Sequence, residues 1–593
     1  MTQSTSDYDL KILHGTIIDG TGAPGRAANL GIKNGVIVEI GECAGEARRV
    51  VDATGCIVTP GFVDIHTHFD GQISWDSRLE PSCYHGVTTA VMGSCGVGFA
   101  PVKPEDRDRL IALMEGVEDI PGTALAEGLT WEWETFPEYM DAIDSFPHTI
   151  NFAVQVTHDP VRVYVMGERA VANEPATDEE IDQMRELVRE ALEAGAVGFS
   201  TGRTDNHLAA DGSATPASEA DIRELRGIAR ALEGLGHGVL QGVSDFDLNI
   251  SRARFDEEFD IFEKMMEVVP DHKMSISVMQ RDQDTEQWRR ILTRIEEAQA
   301  RGLKLHAQVA ARGIGVLLGL QATFHPFMGF PSYKKIAHLS LEERVAIMRD
   351  PEFKAQLLSE TSDKVSGDGS ALPALADEFL AHLDFIAMRL YRIGDSFDYE
   401  PDYTQSLYFE AMQRDVSFLE VIYDSMLQRD GKELLYFPLY NYLEQNLDNI
   451  HTMLTHPHAL PGLSDAGAHV GTVCDASFPT YMLTHWTRDR SRGERLGLER
   501  VVQMMTHDTA RFIGFEDRGV LAVGKKADVN VIDYDNLRIF APYIKDDLPA
   551  GGHRLLQRAK GYRATIVNGE IIIENDELTG SQPGRLVRLG QHS

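Results

Sequence analysis

The middle of the chain alternates short apolar runs with longer stretches in which apolar residues recur at helical spacing. Such alternation is typical of βα units, which build parallel sheets. Eight runs follow this pattern, at residues 57–65, 87–93, 149–157, 196–201, 238–243, 273–279, 303–309 and 460–465. Because eight parallel strands close into a barrel, we predict an α/β fold with a (β/α)8 TIM barrel.

Capping signals mark where two of the predicted helices begin. Thr177 and Glu180 form a capping box in front of apolar residues at helical spacing, and Ser340 and Glu343 form another. The second box lies in a segment of about 150 residues between the seventh and eighth runs, far longer than an ordinary βα connection. We predict a mostly helical insert at about 325–455, which could be a lid, a subunit contact or both.

The two ends of the chain show a different pattern. Residues 8–58 contain short alternating runs broken by Gly and Asp, and strand-like runs near the other end flank an Asn-Gly pair at 568–569, a strong hairpin signal. We therefore predict a small β-sandwich-like domain built from residues 1–56 and 516–593. The barrel and its insert then occupy residues 57–515.

Composition narrows the choice of partners and compartment. The chain of 593 residues has 56 Lys+Arg against 92 Asp+Glu, and this net charge of −36 argues against nucleic acid. The five cysteines are scattered without a CxxC pair, which favours a reducing compartment. No apolar stretch reaches the roughly 18 residues of a membrane span, and the first residues lack a secretory pattern. We expect a cytoplasmic protein with a small-molecule substrate, no membrane partner, and an insert that could support a homo-oligomer.

Polar residues at predicted strand ends are the first candidates for chemistry, because the active site of such a barrel lies at the carboxyl ends of its strands. The first run ends in His66-Thr67-His68, and on an extended chain both imidazoles point to one face, as two ligands of one metal require. An isolated HxH pair is a weak signal, but its position at a strand end strengthens it. Cys95 follows the second run between small residues, where it is either a thiolate ligand or a buried inert cysteine.

Asp465 follows the eighth run in the same way. A carboxylate beside a metal at the barrel mouth can take a proton from water and pass it to a leaving amine. The alternative is that Asp465 caps the next helix. Because the HxH pair lies at the other end of the same closed sheet, we favour the general base.

Several motifs together resemble the amidohydrolase superfamily, and within it the N-acyl-D-amino-acid deacylase (D-aminoacylase) branch. They are the segment Pro60–His68, the loop Gly93–Gly96, Ser464-Asp465, and the closing runs 517–519 and 524–528. The resemblance covers nearly the whole chain in order. It implies a metal-bearing barrel with a small β-domain from both termini, and hydrolysis of a C–N bond other than a peptide bond. It also implies that His66, His68, Cys95 and Asp465 hold zinc or another divalent first-row metal.

The sequence departs from that branch at the ends of the fifth and sixth runs, where the branch has histidine ligands. Gln241 and Val278 occupy these positions, and Gln280 stands where the branch has a lysine for the substrate carboxylate. One zinc ion is therefore expected rather than two, and the substrate could lack a free α-carboxylate. We place Gln241 and Gln280 among the candidate substrate-binding residues.

Other polar residues near strand ends could complete the site. His207, in a polar loop after the fourth run, could polarise a substrate carbonyl or complete the metal shell, and His158 follows the third run. Each of these histidines alone is more often a hydrogen-bonded structural residue. Arg203, in the same loop as His207, could bind an anionic group of the substrate, with a salt bridge as the alternative.

The resulting hypothesis is a metal-dependent hydrolase of an amide C–N bond, with metal-activated water, Asp465 as general base and His207 as a helper. The first alternative is a cyclic amide, carbamate or ester hydrolase on the same scaffold. The second is a barrel that binds a small molecule without catalysis, because two ligand positions are lost. Against the second stands the retention of the HxH pair, Cys95 and Asp465.

Overall fold

A computed structural model describes residues 6–590 apart from 249, 367–373 and 396. At its centre lies a sheet of eight parallel strands, each hydrogen-bonded to the next in chain order. These barrel strands, one to eight, are Phe62–Asp64, Val87–Met92, Asn151–Thr157, Gly198–Arg203, Val239–Ser244, Lys273–Val278, Lys304–Val309 and Ala459–Pro461. Residues just beyond strands one and eight close the barrel through a parallel bridge between Thr67 and Ala466.

The closed sheet confirms the predicted TIM-like α/β fold, with one correction at its start. The predicted first run is divided, because Ile57–Pro60 pairs with strands from the two termini and only Phe62–Asp64 enters the barrel. Gly61 lies between the two, and a Cβ there would lie 2.1 Å from the Oγ1 of Thr88. Only glycine allows this close approach of the backbone to Thr88. The domain boundary predicted at residue 57 therefore moves to Gly61.

Helices connect the barrel strands, as the alternation of the sequence predicts. The helix Asp178–Glu193 follows the predicted capping box, in which Glu180 N donates to the Thr177 hydroxyl and Thr177 N donates to the Glu180 carboxylate. The helices after strands two to six are Arg107–Glu118, Gly122–Gly128, Phe136–Asp144, His158–Met166, Glu168–Val171, Asp178–Glu193, Ile222–Ala229, Phe255–Val268 and Gln287–Ala300. Those after strand eight are Phe478–Tyr481, Met482–Asp489, Leu498–Gln503, Met504–Asp508 and Thr509–Ile513.

The long connection between strands seven and eight forms an insert that begins before the predicted residue 325. It contains an antiparallel sheet of Gly315–Leu318, Tyr391–Arg392 and Leu435–Pro438. Its helices are Pro331–Lys334, Leu341–Met348, Pro351–Leu358, Ala374–Ala381, Leu383–Ala387, Leu407–Arg414, Phe418–Met426 and Asp448–Leu454. Buried side chains of the insert, Phe327 among them, form a hydrophobic cluster separate from that of the barrel. The insert therefore has a core of its own.

Strands from both ends of the chain form one nine-stranded sheet. They are Tyr8–Ile17, Arg26–Lys33, Val36–Gly41, Ala47–Asp52, Ile57–Pro60, Val529–Ile532, Tyr562–Val567, Glu570–Glu574 and Glu577–Leu578. Asn568 and Gly569 both have positive φ, as a tight hairpin turn requires, and they occupy the predicted turn. Beyond this sheet the chain returns to the barrel, where Gly584 N donates to the carbonyl of His148 at 2.8 Å. A sandwich-like arrangement of the terminal sheet stays a prediction.

Within the described residues, no helix combines the length and the hydropathy that spanning a membrane requires.

A buried ion pair joins the insert to the segment after strand eight. Glu400, 1% exposed, faces Nε and Nη2 of Arg490, each at 3.2 Å, and Nε2 of His485 at 3.0 Å.

We expect Arg490→Met to lower the free energy of unfolding by about 3–5 kcal/mol, because it leaves a buried carboxylate without its cation. Thermal unfolding followed by circular dichroism checks this. The exposed pair Arg349–Asp430 provides a control, since Asp430→Asn should change stability by no more than about 0.5 kcal/mol; equal effects of the two variants would contradict the prediction.

Candidate metal centre

Four candidate ligands meet where barrel strands one, two and eight end. His66 and His68 follow strand one, Cys95 follows strand two, and Asp465 follows strand eight. Strand two pairs with strand one, and the bridge between Thr67 and Ala466 brings the end of strand eight to the other side of strand one. The topology of the barrel therefore brings the four side chains together.

The distances within this cluster suit a shared cation. One ligand atom each of His66, His68 and Cys95 lies within 4.8 Å of the others. Cys95 Sγ lies 3.3 Å from His66 Nε2, and Asp465 Oδ1 lies 3.3 Å from His66 Nε2 and 4.0 Å from His68 Nε2. The two histidines are 1% exposed and Cys95 is 8% exposed. Two imidazoles and a thiol at this spacing, with a carboxylate beside both imidazoles, are a donor set that suits zinc.

The backbone is strained where two of these ligands are held. Cys95 has a φ of 57° and Asp465 a φ of 47°, in the left-handed region that non-glycine residues rarely adopt. The backbone at Gly467 passes close to His68, because a Cβ at Gly467 would lie only 2.6 Å from the carbonyl oxygen of His68. Strained backbone of this kind is concentrated at functional sites in folded proteins.

A set of glutamines orients His66 from behind. Its Nδ1 lies 2.8 Å from Gln308 Oε1, so a proton on Nδ1 donates to Gln308 and leaves Nε2 free to face Cys95 and Asp465. Gln241 Nε2 lies 3.1 Å from the same Nδ1 atom, and Gln241 Oε1 accepts a hydrogen bond from Gln155. The structure therefore does not support the substrate-binding prediction for Gln241, because its side chain lies between Gln155 and the rear edge of His66.

Negative charge is concentrated in this pocket. Burial raises the pKa of Asp465 to about 7 and that of Asp70 to about 7. Burial, with repulsion from both of these carboxylates, raises the pKa of Glu118 well above its ordinary value. Among the described ion pairs, no lysine or arginine faces any of the three. A divalent cation would supply the missing positive charge.

The histidines of the pocket are held neutral. Burial lowers the pKa of His66 to about 4 and that of His68 well below its ordinary value. Burial, with repulsion from His66, lowers the pKa of His207 to about 4, and burial with repulsion from His207 does the same for His469. His207 therefore belongs to the electrostatic environment of the candidate ligands, and its predicted role beside the substrate carbonyl or in the metal shell stays a prediction. Neutral imidazoles are the form that binds metals.

Two other predicted site residues are engaged in structural contacts. Arg203 places Nε and Nη2 at 3.0 and 3.1 Å from the carboxylate of Glu258, and its Nη1 donates to the carbonyl of Ala220 at 2.6 Å. His158 has one ring nitrogen 2.9 Å from Thr201 Oγ1 and the other 2.9 Å from Glu224 Oε1. The substrate-binding predictions for Arg203 and His158 are corrected accordingly, because these contacts occupy their polar atoms.

Gln280 holds the insert rather than facing the ligand cluster. Its Nε2 donates to the carboxylate of Glu444 at 2.8 and 2.9 Å, and its Oε1 accepts from Asn449 at 2.8 Å. Both partners lie in the insert, so the predicted role of Gln280 in substrate binding is replaced by a role in attaching the insert. Val278, at the other predicted ligand position, is fully buried and offers only hydrocarbon.

Sequence reasoning missed Glu118. It is the last residue of the helix Arg107–Glu118 and is 1% exposed, with Oε1 3.1 Å from His68 Nδ1. Acidic residues at helix ends are usually solvated, so no local signal marked this one. Gln308 lies in strand seven, but its contact with His66 joins residues 242 positions apart, so no local signal marked that role either.

Comparison with known proteins identifies a family and several relatives. The model of the amidohydrolase family matches residues 49–573. D-aminoacylase of Alcaligenes xylosoxydans xylosoxydans is 37% identical over 238 residues, which are 40% of this chain and 44% of that protein. An uncharacterized protein of Mycobacterium bovis is 28% identical over 99% of this chain and 97% of its own length.

Two solved structures share the fold. A D-aminoacylase gives a TM-score of 0.62 at 24% identity, covering 98% of this chain and 100% of its own. N-acyl-D-glutamate deacylase from Bordetella bronchiseptica gives the same TM-score and identity, covering 98% of this chain and 99% of its own. The deacylase structure contains zinc and a phosphonate inhibitor.

Proton competition at Asp465 predicts how metal affinity depends on pH. Because the pKa of Asp465 is raised to about 7, a cation must displace a proton there below pH 7. His66, with a pKa of about 4, is already neutral and releases none above pH 5. We expect Asp465→Asn to reduce the slope of log zinc affinity against pH by about one between pH 5 and 7. Competition with a chromophoric chelator measures this slope.

The control for that measurement is Asp159→Asn. Burial also raises the pKa of Asp159 to about 7, but its carboxylate accepts from Ala217 N and lies outside the candidate ligands. This variant should keep the wild-type slope. A slope in Asp465→Asn equal to that of the wild type would show that Asp465 does not titrate against the metal.

Proposed function

We propose that this chain, which belongs to the amidohydrolase family, is a metal-dependent hydrolase of amide C–N bonds other than peptide bonds. It would be similar to the N-acyl-D-amino-acid deacylases. The observation that carries this proposal is the meeting of His66, His68, Cys95 and Asp465 at the carboxyl ends of the barrel strands. The names of D-aminoacylase and of N-acyl-D-glutamate deacylase, which share the fold, support the reaction class.

The residues present fit a zinc ion. Asp465 Oδ1 is buried and has no hydrogen-bond partner among the described residues, as expected of an atom reserved for a cation. Nitrogen, sulfur and carboxylate donors together suit zinc and other first-row ions better than magnesium or calcium. His66, His68, Cys95 and Asp465 would hold the ion.

One ion is proposed rather than two. A second ion would need ligands from the ends of strands five and six. Val278 has no donor atom. Gln241 Nε2 lies 3.1 Å from His66 Nδ1, whereas Cys95 and Asp465 face the other ring nitrogen, Nε2. For a solved D-aminoacylase with the same fold, one metal is described as activating the enzyme and a second as attenuating it. That description is compatible with catalysis by a single ion.

Each residue then has a definite task. A bound zinc ion supplies a Lewis acid that acidifies water and polarises a carbonyl group. Asp465 takes a proton from the attacking water and returns it to the departing nitrogen, since an amine anion is too poor a leaving group to depart unprotonated. His207, neutral because its pKa is near 4, donates a hydrogen bond to the carbonyl oxygen as negative charge develops there.

Removing the base tests the assignment. Asp465→Asn should lower kcat at least about 100-fold, because general base catalysis contributes about 10²–10⁴-fold. The amide preserves the shape of the side chain, so zinc content at saturating zinc should stay near that of the wild type. Amine release and metal content are measured on the same preparations, with Asp159→Asn as the control. More than about a tenth of wild-type turnover in Asp465→Asn would rule out the base assignment.

The charge of the mouth predicts which substrates are preferred. The resemblance implies a lysine for the substrate carboxylate at the position of Gln280, which here is neutral and bound to the insert. Arg203 is occupied by Glu258, and Arg281 by Gln287 Oε1 at 2.8 Å and the Ser244 carbonyl at 2.9 Å. We expect kcat/KM for an N-acetyl-D-amino-acid amide to exceed that for the free acid by about tenfold or more, as loss of one charge-assisted hydrogen bond implies.

Chromatographic detection of the released acetate provides the measurement, with the L enantiomers as controls for the stereochemistry that the family resemblance implies. Preference for the free acid would contradict this account of the mouth while leaving the reaction class intact.

A further inference from the structure

Glu118 occupies an unusual position for an acidic residue. It ends the helix Arg107–Glu118, and its side chain is 1% exposed. Oε1 lies 3.1 Å from His68 Nδ1, and Oε2 lies 3.6 Å from His469 Nε2. Among the described residues, neither oxygen has a hydrogen bond of good geometry, and no lysine or arginine pairs with the carboxylate. A buried carboxylate left in this way is costly unless its histidine neighbours compensate it.

Glu118 is also connected to the loop that carries Asp465. The backbone N–H of His469 donates to the Glu118 carbonyl, and Ala468 N donates to the Asp465 carbonyl at 2.9 Å. His469 has a φ of 47°, so this loop is held in a conformation that its own residues do not favour. The helix end therefore contacts the loop through both the backbone and the side chain of Glu118.

We propose that Glu118 is a positioning residue that fixes His68 and the Asp465 loop at the same time. This inference rests on the proposed function, because it assumes that His68 binds the metal through Nε2. A carboxylate facing Nδ1 fixes the tautomer and the ring orientation of a metal-binding histidine and makes it a stronger ligand. The carboxylate touches neither substrate nor metal, and it acts through His68 and His469.

The two ligand histidines are thus oriented by different chemistry. His66 has neutral glutamine partners, with Gln308 Oε1 at 2.8 Å, whereas His68 faces a carboxylate whose other oxygen lies 3.6 Å from His469 Nε2. Glu118 differs from the glutamine partners because its ionised form would carry charge beside His68, and charge-assisted hydrogen bonds are about twice as strong as neutral ones. Metal affinity should therefore depend strongly on Glu118.

The test compares Glu118→Gln with Glu224→Gln. Glu224 is equally buried and also faces a histidine, with Oε1 2.9 Å from His158 Nε2, but it lies outside the candidate ligands. We expect Glu118→Gln to weaken zinc binding by about 10–100-fold, as loss of such partners generally does, and Glu224→Gln to leave it within about threefold of the wild type. Chelator competition gives the affinities, and the visible spectrum of cobalt-loaded protein should shift in Glu118→Gln alone.

The outcomes separate this inference from the proposed function. Wild-type protein that binds no zinc would overturn both. Wild-type protein that binds zinc, with Glu118→Gln binding it equally well and giving the same cobalt spectrum, would overturn the role of Glu118 alone.

His469→Ala, at a partly exposed position, keeps the inference testable even if Glu118→Gln does not fold. It should weaken zinc binding at least threefold through the loop, and unchanged affinity would overturn the proposed link to Asp465.

Discussion

The closure of the barrel between strands one and eight is the interaction on which the candidate site depends. Thr67 bridges to Ala466, His68 N donates to the Ala466 carbonyl at 2.8 Å, and the Ser464 hydroxyl donates to the carboxylate of Asp64. These contacts join residues about 400 positions apart in sequence. Without them the HxH pair and Asp465 would lie at opposite edges of an open sheet. The contacts that complete the fold therefore also assemble the ligands.

The inner surface of the barrel carries uncharged amides behind His66. Gln155 Nε2 donates to Gln241 Oε1, and Gln241 and Gln308 each face Nδ1 of His66. Gln308 Nε2 also donates to Ser275 Oγ at 2.9 Å. Amides satisfy one another in a buried space without added charge. The negative charge of Asp465, Asp70 and Glu118 stays on the other side of the cluster. This division of acidic and amide groups is the basis on which one ion, rather than two, is proposed.

Sequence patterns predicted the features that depend on local chemistry or on strand order. The eight runs, the capping box at Thr177 and the turn at Asn568 each follow from nearby residues, and the strand ends led to His66, His68, Cys95 and Asp465. Pairing across long separations could not be predicted in this way. Ile57–Pro60 has the composition of a barrel strand but pairs with Val529–Ile532. The sequence predicts Arg203 to lie in a polar loop, but its partner Glu258 lies on a later helix. Glu118 likewise became visible only through its burial beside His68.

The most direct test of the central claim is the metal content of protein purified without an affinity tag that binds metals and without chelators, measured by inductively coupled plasma mass spectrometry. A single site formed by His66, His68, Cys95 and Asp465 predicts about one zinc or similar first-row ion per chain. The double variant His66→Ala/His68→Ala should contain almost none. Two ions per chain in the wild type, or none after zinc is supplied and the excess removed, would contradict a mononuclear metal-dependent hydrolase.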